Sequence, residues 1–188
     1  GLPYLCSGPR AHTICLDKYL AKVLIDRAGL PTPAFQLMTR PDAPLDDGLA
    51  YPLVVKPQFE STSFGLRVVA DRAALESAVA SVLADFAQPA LVEAFVDGRE
   101  VNCGLLGNDP VTTLPVLEID FGSATGRQRV ATVEAKRERR IGHICPADLS
   151  PELTRTVQDL AVRAFQALGC ADCARVDFRI DAAGRPWI

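Results

Sequence analysis

The chain has 188 residues, enough for one domain or two small lobes around a sizeable core. Its 48% apolar and 23% charged residues exclude a disordered or fibrous protein, and a formal charge of −3 argues against a nucleic-acid-binding surface. Apolar runs are short and broken by Arg, Asp, Pro or Gly, well below the roughly 18 residues a membrane span needs.

Apolar residues recur at helical spacing from Ala11 to Ala28, with Gly29 as C-cap and Pro31 as a stop. A short strand is expected over Ala34 to Met38. Pro41, Pro44 and Gly48 give the next stretch loop chemistry. The apolar run Leu53 to Pro57, a small polar loop and Leu66 to Val69 predict a hairpin. Asp71 is placed to cap a helix over Arg72 to Phe86. Strands are expected over Ala90 to Val96, Glu100 to Leu106 and Leu114 to Ile119. From Asp120 to His143 the pattern dissolves into Gly, Arg and Glu, which predicts a long functional loop or disorder. Ser150 and Pro151 open a helix that closes at Gly169, and Ala174 to Ile180 alternates as a strand should. Strands joined by tight hairpins and interrupted by helices predict an α+β fold with mostly antiparallel sheets, not a doubly wound parallel one.

Three places carry candidate chemistry. The loop Glu60-Ser61-Thr62-Ser63-Phe64-Gly65 follows Lys56, so small residues and hydroxyls sit beside a point charge suited to phosphate. An ordinary polar hairpin has the same composition. Glu93 ends one strand and Glu100 begins the next, offering acceptors for amino or ribose hydroxyl groups. Exposed acids at a hairpin would look alike. Arg175 and Asp177 share one strand face, so one can meet developing negative charge while the other holds a metal, or the two can form a surface ion pair. Lys18 and Lys22, one helical turn apart, read as a solvated face. Cys170 and Cys173 form a CxxC without a second CxxC or a suitably spaced His, and at a helix end rather than a helix start. A structural role is expected for them, with a redox or zinc site as the alternative. The six cysteines as a set are read as reduced thiols of a cytoplasmic protein.

In order, Leu16-Asp17-Lys18, Pro52 to Pro57, Glu60 to Gly65, Leu91 to Phe95, Gly98 to Val101, Leu114 to Ile119, Cys145-Pro146-Ala147 and Ala174 to Phe178 resemble the ATP-grasp enzymes. Within them the chain is most similar to the D-alanine–D-alanine ligases, over essentially its whole length. The resemblance implies two α+β lobes with a nucleotide cleft between them. Residues 1–15 would be a connector, 16–93 the central lobe and 94–188 a truncated C-terminal lobe. It also implies ATP and Mg²⁺ as cofactors, with Mn²⁺ as a substitute, small amino acids as substrates, a place in peptidoglycan synthesis, no nucleic-acid or membrane partner, and a homodimer. In that pattern Lys18 and Lys56 contact phosphates, and Thr62 and Ser63 cover them. Glu93 and Phe95 sit at the adenine-binding segment, Phe95 acting through its backbone, Glu100 meets ribose, and Lys136 lies in a closing lid. Arg175 stabilises an oxyanion and Asp177 binds magnesium.

Departures are equally specific. Ser61 stands where the group has glycine, and Arg137 where its lid has a tyrosine that contacts the second substrate. The Glu-x-Asn metal pair would lie beyond Ile188, and the N-terminal domain before Gly1. The 188 residues alone are therefore expected to bind nucleotide weakly and catalyse nothing. The parent is expected to be a carboxylate–amine ligase. The alternatives are a ligase with another amino or hydroxy acid acceptor and a nucleotide-binding module without ligase chemistry.

Overall fold

The computed structural model describes residues 4–124, 126, 130 and 141–188. Two antiparallel sheets organise them, each with its own apolar core.

The first sheet contains β1 (Phe35–Met38), β2 (Leu53–Pro57), β3 (Arg67–Val69) and β4 (Ala90–Ala94), in the order β1-β4-β2-β3. The expected hairpin is β2 and β3, with Val54 opposite Val68. Leu53, Val55 and Val92 are fully buried against α3 (Arg72–Phe86), which presents Leu75, Val79 and Val82. Asp71 caps that helix by accepting from the Ala74 N–H.

β5 (Gly98–Leu106), β6 (Thr112–Thr113), β7 (Leu117–Asp120), β8 (Gly142–Ile144), β9 (Cys173–Asp181) and β10 (Pro186–Trp187) form the second sheet. The strand order is β10-β9-β5-β7-β8, with β6 also on β5. Helix α4 (Pro151–Ala167) covers it with Val157, Ala161 and Phe165, capped by the Ser150 hydroxyl on the Leu153 N–H. Val101, Cys103, Leu105, Phe178 and Ile180 face that helix. The register pairs Asn102 with Asp177 and Glu100 with Arg179, so charged residues share the opposite face. Gly98 is required where β5 begins, because a Cβ there would lie 1.9 Å from the Ile180 carbonyl oxygen.

The helix expected from Ala11 to Ala28 is two helices, α1 (Pro9–Leu16) and α2 (Lys18–Arg27). Asp17, extended at φ −78° and ψ 93°, breaks the run and caps α2 through the Leu20 N–H. Its carboxylate also accepts from the Gln58 amide at 2.8 Å, a tertiary contact that favours the break over continued helix. Ile25 of α2 and the following Leu30 enter the core of the second sheet. The strand expected over Leu114 to Ile119 starts later, at Leu117.

Candidate functional site

Position along β2 and β4 brings the first charged cluster together. Val54 pairs with Glu93, and Lys56 follows two residues on, so Glu93 and Lys56 project from one face of the sheet. Opposite lies α2, carrying Lys18 and Lys22 one turn apart. Glu93 accepts from Lys56 Nζ at 2.5 Å and pairs with Lys22 Nζ at 3.0 Å. Lys22 also donates to Thr32 Oγ1 at 2.6 Å, and Thr32 donates to the Ile188 carbonyl. Lys22 is only 8% exposed, so the solvated face expected for it is overturned: a carboxylate far along the chain supplies the counter-charge that burial demands. Lys18 donates to the Gln58 and Glu60 carbonyls.

Electrostatics follow from three ammonium groups around one buried carboxylate. Burial pushes the Glu93 carboxyl up, but Lys56 and Lys22 outweigh it and hold the group at about 2. Burial, aided by repulsion from Lys56, lowers Lys18 to about 8. Burial also lowers Lys22, against the pull of Glu93. The cluster therefore carries net positive charge at neutral pH and is matched to an anion.

Lys18, Lys22, Lys56 and Glu93 line a cavity of about 400 Å³, closed on its other side by Glu100, Asp177 and Arg179. Glu100 and Asp177 also line an adjoining cavity of about 920 Å³, with Thr62, Ser63, Asn102, His143 and Arg175. Arg179 pairs with Glu100 at 3.1 Å, donates to the Val96 carbonyl and lies over the Phe95 ring at 5.7 Å. The Phe95 N–H donates to the Pro52 carbonyl. Arg175 grips Asp177 with two hydrogen bonds, of 2.7 and 3.1 Å, while both side chains stay well exposed.

Loop geometry sets Thr62 and Ser63 apart. Both have left-handed backbones, at φ 56° and 64°, as does Gly65 at φ 75°. A Cβ on Gly65 would lie 2.7 Å from the Pro57 ring. Such conformations cost about 1–3 kcal/mol at non-glycine residues and are typical of ligand-contacting loops. The left-handed positions are thus Thr62, Ser63 and Gly65, not Ser61, where the sequence departs from the group's glycine. Lys136 and Arg137 lie outside the described residues.

The candidates Lys18, Lys56, Thr62, Ser63, Glu93, Glu100, Arg175 and Asp177 therefore line one or both of two adjoining cavities, whereas Phe95 lines neither. Lys22 was read from sequence only as part of a solvated face, and Arg179 only as part of a strand. Their signals were there: Lys22 lies a helical turn from Lys18, and Arg179 continues the alternation Arg175, Asp177. Magnesium commonly takes one or two protein carboxylates and completes its shell with phosphate and water. Asp177, exposed and lining both cavities, offers one carboxylate of the kind such a shared site uses, and among the described residues no group of three or more His, Cys, Asp or Glu side chains could hold a metal. No described helix is long and apolar enough to cross a membrane.

Over its full length the chain is 40% identical to an uncharacterized protein of Sinorhizobium fredii, covering 56% of that protein. It is 37% identical to a D-alanine–D-alanine ligase of Bordetella petrii, again over the full chain and 57% of the relative. The fold superposes on the D-alanine–D-alanine ligase of Bacillus anthracis complexed with ATP, with a TM-score of 0.79, 25% identity and coverage of 100% of this chain and 57% of that one. It also superposes on the VanG D-Ala:D-Ser ligase of Enterococcus faecalis, with a TM-score of 0.81, 26% identity and coverage of 100% and 55%. The chain thus spans a little over half the length of the relatives it matches. Its architecture is that of the ATP-grasp ligases, and residues 24–188 match the family model described as D-ala D-ala ligase C-terminus, the family to which this chain belongs.

Proposed function

We propose that this chain forms the nucleotide-binding and catalytic lobes of an ATP-dependent carboxylate–amine ligase. The protein that carries it would join D-alanine to D-alanine, or to a related amino or hydroxy acid, in the cytoplasm as a step of peptidoglycan synthesis. The observation that carries this reading is the joined pair of cavities, lysine-rich at one end and lined by Arg175 and Asp177 at the other. Residues 16–93 serve as the central lobe and 94–188 as the C-terminal lobe, with 1–15 as a connector.

The residues divide the work by chemistry. Lys18 and Lys56 hold ATP phosphates, and Glu93, by its two ion pairs, fixes Lys56 and Lys22 in place. Thr62 and Ser63 cover the phosphates from a turn of small residues with left-handed backbones that lines the larger cavity. The N–H of Phe95 is already committed to Pro52, so its carbonyl is the backbone group that meets adenine. Glu100 takes the ribose hydroxyls and is oriented for this by Arg179. Lys136 and Arg137 belong to the lid over the nucleotide and acceptor.

In the reaction a substrate carboxylate oxygen attacks the γ-phosphorus, ADP leaves, and an acyl phosphate forms. An amine then attacks the acyl carbon, and inorganic phosphate leaves with the oxygen the carboxylate contributed. Arg175 stabilises the oxyanion of that second step. Mg²⁺ bound at Asp177 would supply charge neutralisation on the phosphates. Because Arg175 and Asp177 grip each other, binding substrates must part them and give each its own partner.

The test is ADP release by the whole protein with ATP, Mg²⁺ and each acceptor in turn. Release that depends on D-alanine supports the dipeptide ligase. Release only with another amino or hydroxy acid keeps the mechanism and changes the acceptor. ATP binding without release for any acceptor would replace the ligase with a nucleotide-binding module.

A further inference from the structure

At the edge of the smaller cavity, which Cys15 helps to line, four cysteines meet in pairs across the chain. Cys6 Sγ lies 3.3 Å from Cys173 Sγ, and Cys15 Sγ lies 3.9 Å from Cys170 Sγ. All are free thiols. The two residues of the CxxC therefore each face a thiol from the N-terminal segment. We propose that these are two built dithiol sites, and that a small disulfide such as glutathione disulfide oxidises them to Cys6–Cys173 and Cys15–Cys170 staples.

The scaffold around them holds the pairs in register. Ser7, next to Cys6, accepts from the Ala171 N–H at 3.0 Å and donates to the Ala171 carbonyl at 3.3 Å. Asp172 is fixed from the other side, its N–H donating to Asn108 and its carboxylate accepting from the Asn108 amide. A cavity of about 230 Å³, lined by Ser7, Cys15, Cys170 and Cys173, opens at this seam and gives an oxidant access. An S–S bond is about 2.05 Å long, so each pair needs to close by only one or two ångströms. Separate pairs also fit the absence, among the described residues, of any three-residue group able to hold a metal.

Thiol–disulfide exchange starts at Cys170. A hydrogen bond from the Cys15 thiol, aided by Ser7 and opposed by burial, brings Cys170 down to about 7, whereas Cys15 is raised. The Cys170 thiolate attacks one sulfur of glutathione disulfide, the glutathione S–S bond breaks, and one glutathione thiolate leaves. Cys15 then loses its proton and attacks the Cys170 sulfur. The mixed S–S bond breaks, the protein disulfide forms, and the second glutathione leaves. Two electrons and the two thiol protons pass to the two glutathiones. Cys6 and Cys173 exchange by the same balance. Oxidation thus fixes the end of α1, just before Lys18, to the loop that enters the strand of Arg175 and Asp177.

The experiment uses the protein with Cys145→Ser, which removes an exposed thiol outside the pairs. It is equilibrated with glutathione disulfide under native conditions, alkylated, digested and mapped. Cys6–Cys173 and Cys15–Cys170 peptides are expected, with buried Cys103 still reduced. The thermal midpoint should rise by about 10–20 °C and fall back with dithiothreitol. Adding Cys15→Ser should strand Cys170 as a mixed disulfide with glutathione while Cys6–Cys173 still forms. A Cys170–Cys173 bond, four thiols that stay reduced, or one zinc ion retained per chain with all four thiols protected would overturn the proposal.

Discussion

Replacing Glu93 by Gln tests the electrostatic heart of the site. The substitution keeps the shape and one hydrogen-bond acceptor but removes the negative charge that pairs with Lys22 and Lys56. With the carboxyl held at about 2 against an ordinary 4.5, the ion pairs stabilise the fold by about 3 kcal/mol at about 1.4 kcal/mol per unit. The same range follows from breaking a buried pair on one side, about 3–5 kcal/mol. The sign is fixed by the lowered value. Stability from Glu93 is complete above about pH 4.5 and is lost as pH falls towards 2. Urea denaturation of both proteins at pH 7 should therefore differ by about 3 kcal/mol, with equal m-values, and the gap should shrink to about 1.5 kcal/mol at pH 3. Equal midpoints at pH 7, or a gap unchanged at pH 3, would refute the reasoning.

Other consequences are read by activity, binding or stability. Asp177→Ala should abolish turnover of the whole protein, yet shift stability by no more than about 1 kcal/mol, because its pair with Arg175 is exposed; retained turnover would remove the metal role. ATP affinity should fall as pH rises through about 8, where Lys18 loses its proton, and Lys18→Met should lower affinity and flatten that dependence in a titration from pH 7 to 9. Arg137→Tyr should raise the use of D-alanine as acceptor in a competition assay, and an unmoved preference would discard the lid argument. Gly98→Ala should destabilise by about 3 kcal/mol or more in denaturant, since its Cβ meets the Ile180 carbonyl and the strand must shift.

Local signals made much of the fold legible. The β2–β3 hairpin and the helices capped by Asp71 and Ser150 announce themselves within a few residues. The break at Asp17 does not, because the apolar period runs through it and the competing partner, the Gln58 side chain, is remote in sequence. The same limit hid Lys22. On its helix it looks solvated, and only the arrival of Glu93 on β4 makes burial affordable. Strand alternation, by contrast, was enough to put Arg175 and Asp177 on one face and to offer the surface ion pair that the structure forms. The cysteine pairs were invisible for the reason Lys22 was: spacing within the CxxC carries no sign of Cys6 or Cys15.

The most direct measurement of the proposed chemistry follows an oxygen atom. The whole protein would be supplied with ATP, Mg²⁺ and D-alanine labelled with ¹⁸O in its carboxylate, together with the acceptor that supports ADP release. An acyl phosphate route transfers one labelled oxygen to each inorganic phosphate formed. Phosphate released without label, during turnover that does make product, would contradict the route.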